Sequence, residues 1–162
     1  MSAVVATVRI NPAFLKILKK EIISIDRYAS GRLIGLDRNP VKSGFKSWIA
    51  NQKFTYVEWL KNINSFTVVK VEGLEDNKTL CNTFKQFKIK DIHLFNSIKT
   101  DYSFGWHHDT VNVYLYVLEG KKRVSIRNKT YIVNAGQGIV IPKGYKHRVY
   151  NYKNTWALSI GF

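Results

Sequence analysis

Two histidines and an aspartate stand where a metal ion can use them. His107 and Asp109 are two apart in Trp106-His107-His108-Asp109, and His147 sits in the pattern Gly136, Pro142, Gly144, His147, Asn151, spaced G-x5-P-x-G-x2-H-x3-N. Two imidazoles and one carboxylate on one octahedral face leave three positions open, enough for a bidentate keto acid plus dioxygen; this is the ligand set of a non-haem ferrous oxygenase. On a strand, alternate side chains share a face, so His107 and Asp109 reach one ion while His108 points away. A one-residue shift of register would exchange His107 and His108. The competing assignment makes His107 a buried hydrogen-bonded imidazole and Asp109 a turn acid, since a lone H-x-D is common by chance. The pattern around His147 is far more specific, and the two halves together favour the metal.

The elements that must position these residues lie in the C-terminal part of the chain. Short segments rich in Val, Ile and Tyr predict strands over 89–98, 112–118, 123–127, 130–133, 138–141, 147–150 and 155–162. Asn128-Lys129, Gly136-Gln137-Gly138 and Asn154 punctuate them. That density of strands predicts a mainly β fold, a sandwich or jelly-roll barrel. The Pro142-x-Gly144 corner places His147 at the start of a strand, at the barrel mouth.

The N-terminal part reads differently. Val4, Val5, Val8 and Ile10 suit a strand; Asn11-Pro12 then opens a helix carrying Phe14, Leu18, Ile22 and Ile25 at helical spacing. Residues 28–44, with their Gly, Arg and Asn and the Asn39-Pro40 step, read as irregular surface chain. A second helix is expected from Thr55 to Ile63, a strand over 66–71, and a short helix beginning near Asp76. The expected organisation is one domain over 1–162, with 1–88 a mixed helical flank packed outside the 89–162 core.

Bulk properties narrow the class. At 162 residues with 45% hydrophobic and 14% aromatic content, the chain can bury a sizeable core. The single cysteine, Cys81, excludes an internal disulfide framework. The first residues make a poor signal peptide and no apolar run reaches membrane-spanning length, so a soluble cytoplasmic protein is expected. The formal charge of +15 invites an anionic partner, nucleic acid among them, and no acidic residue follows Glu119. Biased lysine usage explains the same charge, and no compact nucleic-acid motif accompanies it.

The chain resembles a cupin. Gly136 to Asn151 matches the second cupin motif at its defining positions. In the first motif, His107 takes the first histidine place, Asp109 replaces the second, Val113 stands where a glutamate would be, and Gly120 closes it. That modified form resembles JmjC-type 2-oxoglutarate oxygenases, in particular the asparaginyl hydroxylase branch, through HHDTVNVYLYVLEGKKRV. The resemblance implies a double-stranded β-helix barrel and a ferrous centre of His107, Asp109 and His147. It also implies that the lysine of G-x-K, Lys122, binds the distal carboxylate of 2-oxoglutarate; Lys121 takes that role if Gly120 makes a bulge. Two departures stand out: Phe104 occupies a place where the family often has a hydroxyl, and Gly161 falls near where some members carry an asparagine. Trp106 and Tyr145, beside the metal ligands, and Tyr102 are the aromatic candidates for a substrate pocket.

The implied activity is an Fe(II)- and 2-oxoglutarate-dependent oxygenase, most simply a hydroxylase, acting on a protein side chain, nucleic acid or small metabolite. A non-oxidative metal-binding cupin (an isomerase, a lyase or a ligand-binding module) is the alternative, and it has no special need for Lys122. A basic nucleic-acid-binding domain with structural histidines is the third.

Overall fold

The computed structural model describes residues 5–6, 16, 33–38, 45–50, 68–97, 101–102 and 105–162. Their strands are β1 (Val5–Ala6), β2 (Leu33–Arg38), β3 (Phe45–Ala50), β4 (Val68–Val71), β5 (Asp91–Ser97) and β6 (Asp101–Tyr102). They continue with β7 (Val113–Glu119), β8 (Lys121–Ile126), β9 (Lys129–Asn134), β10 (Gly138–Ile141), β11 (His147–Asn151) and β12 (Thr155–Gly161). An eight-stranded sheet runs β1-β10-β7-β12-β5-β4-β2-β3, and a four-stranded sheet runs β6-β11-β8-β9. All the pairings are antiparallel, as a jelly roll requires.

β7 shows why these residues form this barrel. Its sequence VYLYVLE is apolar on both faces, and all but the terminal Glu119 is buried. Val113, Leu115 and Val117 point inward and join Val124, Ile126, Val133, Ile139, Ile141 and Ala157 in the barrel core. Tyr114 and Tyr116 point outward and are covered by Phe84 and Phe87, which follow a 3-10 turn (Leu74–Asp76) and helix α1 (Lys78–Thr83). Phe84 packs edge-on against both tyrosines, at 6.3 and 5.4 Å between ring centres. A strand covered on both faces has no polar side to alternate with, which is why it reads as one continuous apolar run. Gly138 on β10 makes room for this outer layer, because a Cβ there would lie 2.2 Å from Cζ of Tyr114.

The expected strands of the C-terminal part all form, with ends shifted by a few residues. The short helix starts two residues beyond Asp76, capped by Asn77, whose side chain accepts from the Leu80 amide at 2.9 Å. One expectation fails. Within 28–44, read as irregular, Leu33–Arg38 is a strand, and it pairs with β4 on one side and β3 on the other. Gly35 and the Asn39-Pro40 step argue locally against a strand, but cross-strand partners decide sheet membership more than composition does. β3 itself was not foreseen. Of the first expected helix only Lys16 is described, and it is helical; the helix expected over Thr55–Ile63 lies outside the described residues. No helix among the described residues is long and apolar enough to cross a membrane.

Candidate metal centre and its cavity

The metal candidates come together at one end of the barrel. His147 is the first residue of β11, delivered by the turn in which the Tyr145 amide donates to the Pro142 carbonyl at 3.1 Å. His107 is held against it by a two-way backbone bridge, with N–O distances of 3.0 and 2.8 Å. The expectation that His107 and Asp109 share a regular strand is replaced by something tighter. Only His107 pairs, and Asp109 is fixed in the following loop through its carbonyl, which accepts from the Gly144 amide at 3.0 Å. One ligand atom from each of His107, Asp109 and His147 lies within 4.8 Å of the others. His147 Nε2 is 3.4 Å from Asp109 Oδ2, and His107 Nε2 is 4.0 Å from Asp109 Oδ1. His108 is exposed.

The hydrogen bonds behind the imidazoles fix their chemistry. Nδ1 of His107 faces the Gly105 carbonyl at 3.0 Å, and Nδ1 of His147 faces the Tyr145 carbonyl at 2.9 Å. A carbonyl oxygen only accepts, so in each ring Nδ1 carries the proton and Nε2 keeps the lone pair that a metal needs. Burial further lowers the pKa of His147 below the usual imidazole value, which keeps it neutral and able to ligate. The chemistry of this donor set therefore fits a divalent transition metal.

His107, Asp109 and His147 line a cavity of about 310 Å³, and Lys122 lines the same cavity. Gly120 decides which lysine enters. Its φ of 78° turns the chain between β7 and β8, and a Cβ there would sit 2.7 Å from Thr155 Oγ1. That hydroxyl donates to the Lys121 carbonyl at 3.0 Å, which locks the register of the turn. Lys121 is left exposed and Lys122 points into the barrel, 1% exposed. Its ammonium donates to Asn151 Oδ1 and lies 3.5 Å from Ser97 Oγ. Among the described residues no carboxylate reaches ion-pair distance of it. Desolvation lowers its pKa to about 7.

Other residues of the cavity were not foreseen. Asp91, His93 and Phe95 of β5 line the wall, together with Lys70 of β4 and Ser159 of β12, the register partner of His93. The sequence signal that points to His93 is the two-residue period of β5, which sets Asp91, His93, Phe95 and Ser97 on one face. Burial, then the nearby Lys70, lowers the His93 pKa. Gly161 carries no side chain where a Cβ would meet the Asp91 carboxylate at 2.6 Å. The aromatic candidates sit elsewhere. Trp106 is 41% exposed beneath the Arg148 guanidinium, and Tyr145 lies under Arg127 at 3.6 Å. Neither lines the cavity: Trp106 is exposed, and Tyr145 packs against the edge of the barrel core. The side chain of Tyr102 is outside the described set; its backbone pairs with Tyr150.

Residues 96–160 match the model of the cupin domain family, a span that holds the metal candidates and Lys122. That span, less than half of the chain, is similar to a cupin domain. Structures of YcfD, a ribosomal oxygenase from Escherichia coli, in complex with cobalt and succinic acid and with cobalt and 2-oxoglutarate, are similar to 99% of the chain. The TM-score is 0.67 for each, at 16% and 18% identity. The chain spans about half of their length, 47% and 48%. At such identity the likeness shows a shared fold: the jelly-roll barrel here is built as in that oxygenase. No curated protein sequence matches the chain.

Proposed function

We propose that the chain is an Fe(II)- and 2-oxoglutarate-dependent oxygenase, most simply a hydroxylase. One observation carries this reading: a buried lysine without a carboxylate partner among the described residues lines the cavity that also holds two imidazoles and a carboxylate. Burying an ammonium costs stability, and a dicarboxylate co-substrate gives it the counter-charge the protein withholds. In this reading His107, Asp109 and His147 would hold the iron, which when bound would supply the oxidation by dioxygen of an unactivated C–H bond, one oxygen atom going to that carbon and the other to succinate as the keto acid loses carbon dioxide. Lys122 binds the distal carboxylate, and Asn151, accepting from its ammonium, fixes where that charge sits. Val111, Val113, Leu115, Ile141 and Val149 line the cavity and keep water from the reacting end. The likeness to YcfD, solved with 2-oxoglutarate, supports the same reading. The basic residues Lys143, Lys146 and Arg148 near His147 suit an anionic or macromolecular substrate.

The low pKa of Lys122 favours a second reading, in which a neutral amine serves as a general base in a non-oxidative cupin. Anaerobic spectroscopy separates the two. Ferrous iron and then 2-oxoglutarate, added to metal-free protein, should produce the weak visible charge-transfer band of a chelated keto acid. Asp109→Ala and Lys122→Ala should lose or weaken it. Tight iron binding with no band in the parent would leave the non-oxidative reading.

A further inference from the structure

The positive charge of this chain is organised, and the metal site does not use that organisation. Inward residues of β8 and β11 build the cavity and core; the alternate residues face out from the four-stranded sheet. On that outer face, cations and aromatic rings alternate in rungs. Arg123 and Tyr150 are cross-strand partners, with the guanidinium 4.5 Å from the ring centre. Lys121 stands 4.7 Å over Tyr152 on one side, and Arg148 stands 4.8 Å over Trp106 on the other. Strands β8, β9 and β11 contain no acidic residue. The rungs end at Trp106, next to His107, so the row runs up to the cavity mouth.

We propose that this face binds single-stranded RNA. A run of phosphates matches the cations that β8 and β11 present on this face, and rings held in place by cations offer surfaces on which unpaired bases stack. An acidic peptide would satisfy the cations and leave the rings unused. A duplex would bring phosphates but keep its base faces inside its own stack. Ser125 and Thr130, hydroxyls 3.1 Å apart on the same face, supply hydrogen-bonding groups for ribose 2′-hydroxyls, which DNA lacks. The inference stands on the outer face alone and does not depend on the oxygenase reading.

Fluorescence anisotropy of a labelled uridine-rich RNA of about twelve nucleotides tests it, with full-length protein and salt varied from about 50 to 200 mM. Contact with three phosphates gives a log–log salt slope near −2. Arg123→Gln should make that slope shallower by about 0.7. Tyr150→Ala and the bulkier Tyr150→Leu should each weaken binding roughly tenfold and leave the slope in place. Lys85→Gln, an exposed lysine just beyond α1, should change nothing, and DNA of the same sequence should bind at least about fivefold more weakly. Absence of saturable binding at about 50 mM salt would overturn the proposal. So would equal affinity for an oligoglutamate or the DNA, or equal losses from Lys85→Gln and Arg123→Gln.

Discussion

Lys122 is the residue whose position is hardest to explain by folding alone. Its ammonium is desolvated, its partners are an amide oxygen and a hydroxyl, and its pKa falls to about 7. A side chain that long fills the space as well when it is methionine. Lys122→Met is therefore expected to leave the unfolding midpoint unchanged or to raise it, as replacing buried charges by apolar groups often does. The same change should weaken 2-oxoglutarate binding by about 10- to 100-fold, the loss of one charge-assisted contact. Calorimetry and thermal melts on one preparation measure both; a large drop in the midpoint would mean that the lysine is structural. Asp109 carries the complementary expectation. With cobalt(II) at about a hundred times its dissociation constant, binding adds about 2.7 kcal/mol to the parent. Asp109→Ala should lose most of that shift while its metal-free midpoint stays near that of the metal-free parent, because the carboxylate is 34% exposed and outside the core. Asp109 is legible from spacing once H-x-D is joined to P-x-G-x2-H, a rim and a turn that local sequence controls, whereas Lys122 is indicated by the family resemblance and not by spacing. Asp91 and His93 were legible in neither way: what makes them notable is a shared cavity wall, and only the pairing of β5 with β12 creates it.

Among the elements, the β7–β8 turn does the most to set the site. Gly120 adopts a left-handed φ of 78° against Thr155, and the turn sends Lys122 rather than Lys121 into the barrel. Gly120→Ala meets two costs: about 1–2 kcal/mol for a left-handed non-glycine residue and about 1–3 kcal/mol for overpacking. The expected result is a destabilisation of about 2–5 kcal/mol in urea unfolding, accompanied by weaker 2-oxoglutarate binding as β8 shifts. Normal stability in this variant would show that the turn relaxes and does not set the register. Sequence resolved the competition between Lys121 and Lys122 only up to this turn. The turn glycine was visible, but its contact with Thr155, 35 residues on, was not. The same distinction explains the N-terminal part. β7 announces itself by an unbroken apolar run, whereas β2 and β3 are strands because they find partners at the end of the larger sheet. Local composition does not record a partner.

For the molecule as a whole, burial of titratable groups fixes how stability must follow pH. Lys122 has a folded pKa of about 7 against an ordinary 10.5, so between those values the unfolded chain binds more protons and stability rises with pH. Tyr114 and Tyr116 act oppositely. Burial raises each to about 12 from 10, so above pH 10 the folded state holds the extra protons and stability falls as pH rises towards 12. The three groups together place the maximum near pH 10, on a chain whose formal charge at neutrality is +15. Partial neutralisation of the many exposed lysines adds to the rise, so the parent curve alone does not isolate Lys122. Comparison with Lys122→Met does. The steepest slope one proton can give is about 1.4 kcal/mol per pH unit, and the difference between parent and variant should approach it between pH 8 and 9. Denaturant unfolding at half-unit steps from pH 7 to 11 reads that difference directly. Parallel curves would mean that the ammonium is not held desolvated in the folded chain, and with it would go the physical reason for assigning a dicarboxylate to the cavity. A converging pair, with the variant keeping only the shallower rise from the exposed lysines and the fall above pH 10, is what a buried lysine awaiting a counter-charge must produce.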